Sequence, residues 1–425
     1  MNIGILGLGT VGSGVINVIA KNKDEINKRT GTDIKVIIAA VSDLNKNRLC
    51  DTDGIKITND PYEVINNPDI EVVIELIGGN KLARDLVEKA LDNKKHVITA
   101  NKALIATFGD ELVLKARKNN VNLLFEGTVA GGVPIIKVLK ESLTANKITK
   151  LVGIINGTAN FIITKMQQEN SDFAEVLKEA QDLGYAEADP TFDIEGIDAA
   201  HKLTILAAIA FGTNFEFDKI YIEGITKIEA EDIKFAHELG YIVKHLGIAK
   251  IVDNDVELRV HPTLIPKSKL LANVNGVMNA VVVKGNALGN TLYYGAGAGS
   301  EATASAVIAD LIDIIKCKNV NNIKGWNSQN DFMVKPIESI TSIYYLRILA
   351  TDKPGVLSDI TKTLADKNIS IELVIQKQHD ENNNSHIAII TNEVKERIIT
   401  MAVREIEEYG FVHGGIKILR VENLD

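Results

Sequence analysis

Cysteine is almost absent from this 425-residue chain, which has only Cys50 and Cys317. The two stand far apart, and neither has a CxxC partner or a neighbouring His. A disulfide scaffold and a cysteine-based zinc site are therefore excluded, and both read as packing thiols in a reducing compartment. Long apolar runs are missing as well. No stretch reaches the ~20 residues of a membrane span. The first apolar run, residues 3–8, has no basic segment before it, which argues against a secretory signal. The expectation is a cytoplasmic protein with no membrane contact. Nor is positive charge in excess: 47 Lys and Arg against 56 Asp and Glu leave a net −9. With no basic patch interleaved with aromatics, a nucleic-acid partner is not expected.

What is present is an ordinary globular composition, 45% hydrophobic and 24% charged, long enough for two or three domains. Residues 2–8 are too uniformly apolar for a half-exposed strand and read as a buried parallel one. Apolar strands follow at 34–41, 72–76, 96–99 and 122–126, with helical periodicity between them. That alternation predicts a Rossmann-type doubly wound parallel sheet, an α/β fold. After residue 126 the rhythm changes to an α+β pattern, with strands at 149–155, 257–262 and 276–284 and helices at 171–183 and 197–211. A helix at 302–315 comes next. Residues 339–425 read strand–helix–strand–strand–helix–strand, the ferredoxin-like order.

The first strand runs into Gly7-Leu8-Gly9-Thr10-Val11-Gly12. Gly7 permits a tight turn, Gly9 lets backbone approach a pyrophosphate, and Gly12 lets the helix pack closely on the strand. The free N–H groups of that helix favour an anion. A dinucleotide is thus the expected cofactor. Asp43, at the end of the second strand, suits the ribose hydroxyls of NAD, whereas Lys46 and Arg48 just beyond it suit the 2′-phosphate of NADP. The choice between NAD, NADP and use of both stays open.

The most specific segment lies in the middle. Glu187, Asp189, Asp193 and Glu195 stand on a loop that Gly184, Pro190 and Gly196 keep from being helical. The helix after it carries Asp198 and Lys202 at i, i+4 on one face of an otherwise apolar surface. A charged pair there points to chemistry more than to decoration. His201 faces away and reads as a packed residue.

With its loop and helix, this segment resembles the homoserine dehydrogenases. Residues 97–104 (Val-Ile-Thr-Ala-Asn-Lys-Ala-Leu), 126–134, 153–160 and 295–307 resemble the same family, in family order, over roughly three quarters of the chain. The resemblance implies reversible NAD(P)-dependent interconversion of L-homoserine and L-aspartate 4-semialdehyde, on the pathway to threonine, methionine and isoleucine. It makes Lys202 the proton donor and acceptor, with Asp198 and Lys102 beside it. Glu187, Asp193, Asp198, Asn156, Gly157 and Thr158 become substrate contacts. Residues 7–12, Asp43, Thr99, Lys102, Gly184 and Gly299 become cofactor contacts, although Thr99 also reads as a plain helix cap. Glu126, Val129, Gly131 and Val133 match a monovalent-cation site for Na or K. Ser300 and Glu301 depart from the family's usual Gly or Pro.

The last unit resembles an ACT domain, on Leu349-Ala350-Thr351-Asp352-Lys353-Pro354-Gly355 and Asn368-Ile369-Ser370-Ile371. Asp352, Gly355 and Asn368 are its candidate regulatory residues. An amino-acid effector, threonine first, is one reading, and a dimerisation module without ligand is the other. The expected domains are 1–130 with 297–320 (NAD(P)-binding), 131–296 (catalytic, substrate-binding and dimerisation), 321–338 (linker) and 339–425 (ACT). A homodimer or homotetramer is expected. The alternatives are a related amino-acid or aldehyde dehydrogenase on the same fold, or a non-catalytic amino-acid-binding regulator.

Overall fold

A computed structural model describes residues 1–316, 323–378 and 383–424. Cys317 and the start of the expected linker lie outside them. The chain divides into two compact units. One is Met1–Gly157 with Asp198–Ile220 and Val277–Phe332; the other is Thr158–Ile197 with Tyr221–Gly276 and Met333–Asp425.

In the first unit, six strands pair in parallel: β1 (Asn2–Leu6), β2 (Lys35–Ala40), β3 (Lys56–Thr58), β4 (Val72–Glu75), β5 (His96–Thr99) and β6 (Leu123–Leu124). Their order, β3-β2-β1-β4-β5-β6, is doubly wound. The crevice at the carboxyl ends of β1 and β4, where the order reverses, is where such sheets hold ligands. The strands are apolar throughout because helices cover both faces. Ile3, Ile5, Ile74 and Ile98 share one core with Val307 and Leu311 of the helix Ser300–Lys316. That helix returns to this domain and crosses the helix α1 (Thr10–Lys21) at Gly14. A Cβ there would lie 2.5 Å from Ser300 Oγ, which donates to the Thr10 carbonyl at 2.8 Å. A second helix, Lys23–Thr30, follows α1 and buries only Ile26. The first unit also holds an antiparallel trio, β7 (Ile148–Ile154), Met278–Gly285 and Gly289–Ala296.

The stretch expected as a linker is instead seated against the end of the helix Ile197–Phe211. Ile323 and Lys324 are buried. Trp326 Nε1 donates to the Ile209 carbonyl at 2.7 Å, and Asn330 Nδ2 donates to that of Phe211 at 2.7 Å. Its polar residues satisfy the open carbonyls of a helix terminus, so polarity here signals capping and not freedom.

The second unit contains a twelve-residue-per-arm hairpin, Tyr241–Val252 with Asp255–Pro266. The sequence suggested only a short strand there. Asp253 and Asn254 both adopt positive φ, the requirement of a tight two-residue hairpin turn. Both arms are buried over most of their length, which erases the alternation that would have revealed them. The C-terminal sheet follows in the order Val412–Val421, Thr341–Thr351, Asn384–Thr391, Ile371–Gln378, all antiparallel. Its helices Val356–Asp366 and Glu396–Glu407 pack on one face through Ile360, Leu364, Ile399 and Ile406. Among the described residues, no helix is long and apolar enough to cross a membrane.

Candidate active site

The glycine turn behaves as its residue types demand. Gly7 has φ +99° and a Cβ on it would lie 2.8 Å from the Leu76 carbonyl; one on Gly12 would lie 2.1 Å from the Gly7 carbonyl. At Gly9 a Cβ would meet nothing within 4 Å, because this residue faces open space. Gly9 is also the N-cap of α1, makes no side-chain cap, and is followed by a first turn without acids. The leading N–H groups are thus left to an anion. A cavity of about 550 Å³ opens beside them, lined by Gly7, Gly9, Ser42, Lys46, Arg48 and Gly78 among others.

Asp43 does not line this cavity. Its carboxylate accepts from the Asn45 backbone N–H at 2.9 Å, closing a local turn, and its carbonyl accepts from Arg48. Asp43 is the sequence's candidate for the ribose hydroxyls, and one of its carboxylate oxygens is engaged in this local turn. The stretch Thr99-Ala100-Asn101 caps the next helix as expected, although Thr99 is not itself the N-cap residue. That role falls to Asn101, whose Oδ1 accepts from Leu104 N at 3.1 Å, so that Lys102 opens the helix Lys102–Asn119. Thr99 Oγ1 donates instead to Glu75 Oε2 at 2.6 Å.

Glu75 was missed in the sequence. It is fully buried at the carboxyl end of β4, and its Oε1 accepts from Ile77 N at 2.9 Å. Burial pushes its carboxyl up, against these hydrogen bonds. The available signal was an acid closing an otherwise apolar strand just before Gly78-Gly79.

The expected charged pair is present, and it is larger than a pair. Lys202 Nζ donates to Asp198 Oδ2 at 2.7 Å and to the Ile155 carbonyl at 2.8 Å. Lys102 Nζ lies 3.0 Å from the other oxygen, Asp198 Oδ1. Asn156 Nδ2 donates to Asp198 Oδ2 at 2.8 Å. Lys202 and Asp198 are buried and Lys102 is partly open. Burial alone would raise the Asp198 carboxyl. The ammonium groups of Lys202 and Lys102, with the hydrogen bonds of Lys202 and Asn156, outweigh it and hold it well below the usual carboxylate range. Two cations on one carboxylate leave a surplus positive charge, which suits a developing oxyanion. Two of the three ammonium N–H bonds of Lys202 are engaged, and one remains for a substrate oxygen. His201 stacks on Phe217 with ring centroids 4.2 Å apart. Burial depresses it to about 4 against the pull of Asp198, so it is neutral near pH 7.

Models of known families match in the same arrangement: the NAD binding domain of homoserine dehydrogenase over residues 7–126, homoserine dehydrogenase over 134–312, and the ACT domain over 344–411. A homoserine dehydrogenase of Pseudomonas aeruginosa is 50% identical over 433 residues, covering 100% of this chain and 99% of its own length. The chain belongs to the homoserine dehydrogenase family. A crystal structure of a homoserine dehydrogenase from Thiobacillus denitrificans matches with a TM-score of 0.95 at 49% identity, covering 100% of this chain and 99% of that one. A hyperthermophilic archaeal homoserine dehydrogenase in complex with NADPH matches with a TM-score of 0.61 at 27% identity, covering 75% of this chain and 99% of that one. The chain is thus an oxidoreductase of this family, with its NAD-binding, catalytic and ACT parts.

The remaining candidates are distributed as follows. In the second unit, Glu187 lies beyond the helix Phe173–Asp182, where Gln181 Nε2 donates to its carbonyl at 3.1 Å; Asp193 lies on the short helix Thr191–Ile194. Gly184 has φ +76°, as the turn before that acidic loop requires. Thr158 Oγ1 donates to the Tyr185 carbonyl at 2.8 Å. In the first unit, a Cβ on Gly157 would lie 2.7 Å from the Val277 carbonyl, and Gly299 has φ +122°. Glu301 pairs with Lys21 at 3.4 Å on the surface.

The suggested cation loop is tightly built. Ala130 and Gly131 both have positive φ, and Val129 and Val133 are buried. The Glu126 carboxylate does not stand open. Its oxygens accept from Ile136 N at 3.0 Å and Lys137 N at 2.8 Å. Burial and the neighbouring Asp310 push its carboxyl up to about 8. Each of its oxygens keeps a lone pair beside that one backbone N–H. In the ACT unit, Gly355 caps the helix Val356–Asp366 at φ +98°, and Asn368 has φ +57°. Asp352 Oδ1 accepts from Gln376 Nε2 at 3.3 Å.

Proposed function

We propose that this enzyme interconverts L-homoserine and L-aspartate 4-semialdehyde, with Lys202 moving the proton at the C4 oxygen. The two lysines on the buried Asp198 carboxylate carry the reading, because an aldehyde becoming an alkoxide needs a cation and a proton in one place. A bound nicotinamide dinucleotide supplies or accepts the hydride. Asp198 orients Lys202, and the Ile155 carbonyl fixes its second N–H. Lys102 adds positive charge to the same carboxylate and holds it ionised. Glu187 and Asp193 offer carboxylates to the substrate ammonium, and Asn156, Gly157 and Thr158 furnish polar wall. Gly184, Thr99 and Gly299 complete the cofactor contacts suggested by the family. The test is a direct assay with L-homoserine and either dinucleotide.

For the cofactor, the reading is preference for NADP(H). Lys46 and Arg48 line the cavity while Asp43, the group that would repel a 2′-phosphate, is bound into its own turn. The archaeal relative solved with NADPH supports this. Charge-assisted hydrogen bonds of ~1.5–3 kcal/mol predict that Lys46→Ala or Arg48→Ala raises KM for NADPH about 10- to 100-fold. KM for NADH should change little. Equal losses with both cofactors would count against the assignment.

The loop at Glu126, Val129, Gly131 and Val133 is read as a site for Na or K that braces the turn after β6. Exchange of NaCl or KCl for choline chloride at constant ionic strength should lower turnover several-fold, reversibly. Turnover indifferent to the exchange would remove the ion. The ACT unit takes an amino-acid effector, threonine first, with Asp352, Gly355 and Asn368 as candidate contacts. A homodimer or homotetramer is supported by the edge strand Gly289–Ala296, which leaves Tyr294 exposed.

A further inference from the structure

Glu75 closes β4 at the carboxyl edge of the parallel sheet, where such sheets hold ligands. It is fully buried. Thr99 stands in register beside it on the parallel neighbour β5. The two side chains leave the sheet on the same face, so hydroxyl and carboxylate meet at 2.6 Å.

A carboxylate is seldom fully buried without a partner of opposite charge. Among the described residues Glu75 makes no ion pair, and the groups set against it are hydrogen-bond donors. Thr99 Oγ1 donates to Oε2, and Ile77 N donates to Oε1 at 2.9 Å. The Gly78 N–H and the Asn101 side chain bond to the same carboxylate. A shell of donors suits the ionised form, which only accepts.

Those donors come from two elements with different tasks. Ile77 and Gly78 belong to the turn 76–79, which lines the dinucleotide cavity. Gly78 and Gly79 have φ +71° and +70°, and a Cβ on either would meet nothing within 4 Å, so this turn presents bare backbone to open space. Its far end is held as well, because Asn101 Nδ2 donates to the Gly79 carbonyl at 2.6 Å. Thr99 and Asn101 belong to the second element, the start of the helix Lys102–Asn119. Thr99 Oγ1 accepts from Asn101 N at 2.9 Å, and Asn101 Oδ1 caps the helix. Lys102 is the next residue, with its Nζ 3.0 Å from Asp198 Oδ1. One buried carboxylate thus fixes both the backbone of the cavity and the start of the helix that carries a cation to Asp198.

We propose that Glu75 is a positioning residue for this reaction: it locks the glycine turn of the dinucleotide cavity to the cap of the Lys102 helix, so that one group sets both cofactor and cation. The inference rests on the reading that Lys102 stands at the reacting centre. It requires no contact between Glu75 and substrate or dinucleotide.

Glu75→Gln keeps the shape and exchanges one accepting oxygen for an amide NH₂ that faces donors. Three quantities are measured for Glu75→Gln, Lys102→Ala and the double variant: dinucleotide Kd by fluorescence titration without substrate, kcat, and the unfolding temperature. Glu75→Gln should raise the NADPH Kd about tenfold and lower kcat about tenfold, the scale of one lost hydrogen bond to a charged group. In the Lys102→Ala background its further cost in kcat should shrink to within about twofold, because a residue acting through Lys102 has nothing left to place. A group that only braces the end of β4 would lower the unfolding temperature and leave Kd and kcat within about twofold of wild type. That result, or fully additive losses in kcat, overturns the inference. If Glu75→Gln does not fold, Thr99→Val opens the same bond from the other side and should show the same two losses, with the same dependence on Lys102. The Kd measurement uses no substrate. A wild-type protein without homoserine turnover would therefore strike the proposed reaction, while an unchanged Kd in Glu75→Gln would strike the role of Glu75.

Discussion

Lys202→Ala is expected to lower kcat by about three orders of magnitude, inside the ~10²–10⁴ range of a lost general acid–base. The fold should survive, because Asp198 keeps a cation: Lys102 stays 3.0 Å from Oδ1. Dinucleotide binding should survive too, since the glycine turn and its cavity are built from other residues. The signature is therefore a collapse of turnover with cofactor Kd unchanged, measured by fluorescence titration and steady-state assay on one preparation. Small primary amines should restore part of the rate. Near-normal turnover would assign the proton to another group.

Asp198→Ala has a different signature. It removes the anion between two ammonium groups, one of them buried. Breaking a buried pair costs ~3–5 kcal/mol, and the partial exposure of Lys102 reduces this. A loss of about 2–3 kcal/mol in unfolding free energy is expected, together with a kcat about 100-fold lower. Lys202→Ala should cost less stability and more turnover. The double variant should be scarcely slower than Lys202→Ala, because the residues act as a unit. Thermal unfolding beside kcat separates the two roles. Equal stability losses with unequal rates in the opposite order would contradict them.

The α/β architecture was legible because β1, β4 and β5 are buried on both faces and punctuated by glycines whose geometry allows few substitutes. The pairing of Asp198 with Lys202 was legible because helical spacing fixes which side chains share a face. Three features were not, each for a local reason. Asp43 stood at the right end of the right strand, but its carboxylate closed an Asx turn with Asn45. Lys102 was set beside Asp198 by the family resemblance alone, since no periodicity links a helix start after β5 with the helix Ile197–Phe211. The hairpin Tyr241–Val252 with Asp255–Pro266 is buried over most of its length, so the alternation that marks a strand is absent. At Glu126 the sequence offers an oxygen donor of the right type, and the fold adds the backbone N–H groups of Ile136 and Lys137 to its carboxylate.

The central claim is a reaction, and the most direct measurement is the wild-type protein's own turnover. NADP⁺ reduction is followed with L-homoserine, with L-serine and L-threonine as controls, and NADPH oxidation with L-aspartate 4-semialdehyde. The account predicts rapid turnover in both directions for the homoserine pair, negligible rates with the two controls, and slower reaction when NAD(H) replaces NADP(H). Absence of homoserine-dependent reduction with either cofactor, or faster reaction with another amino alcohol, would contradict it.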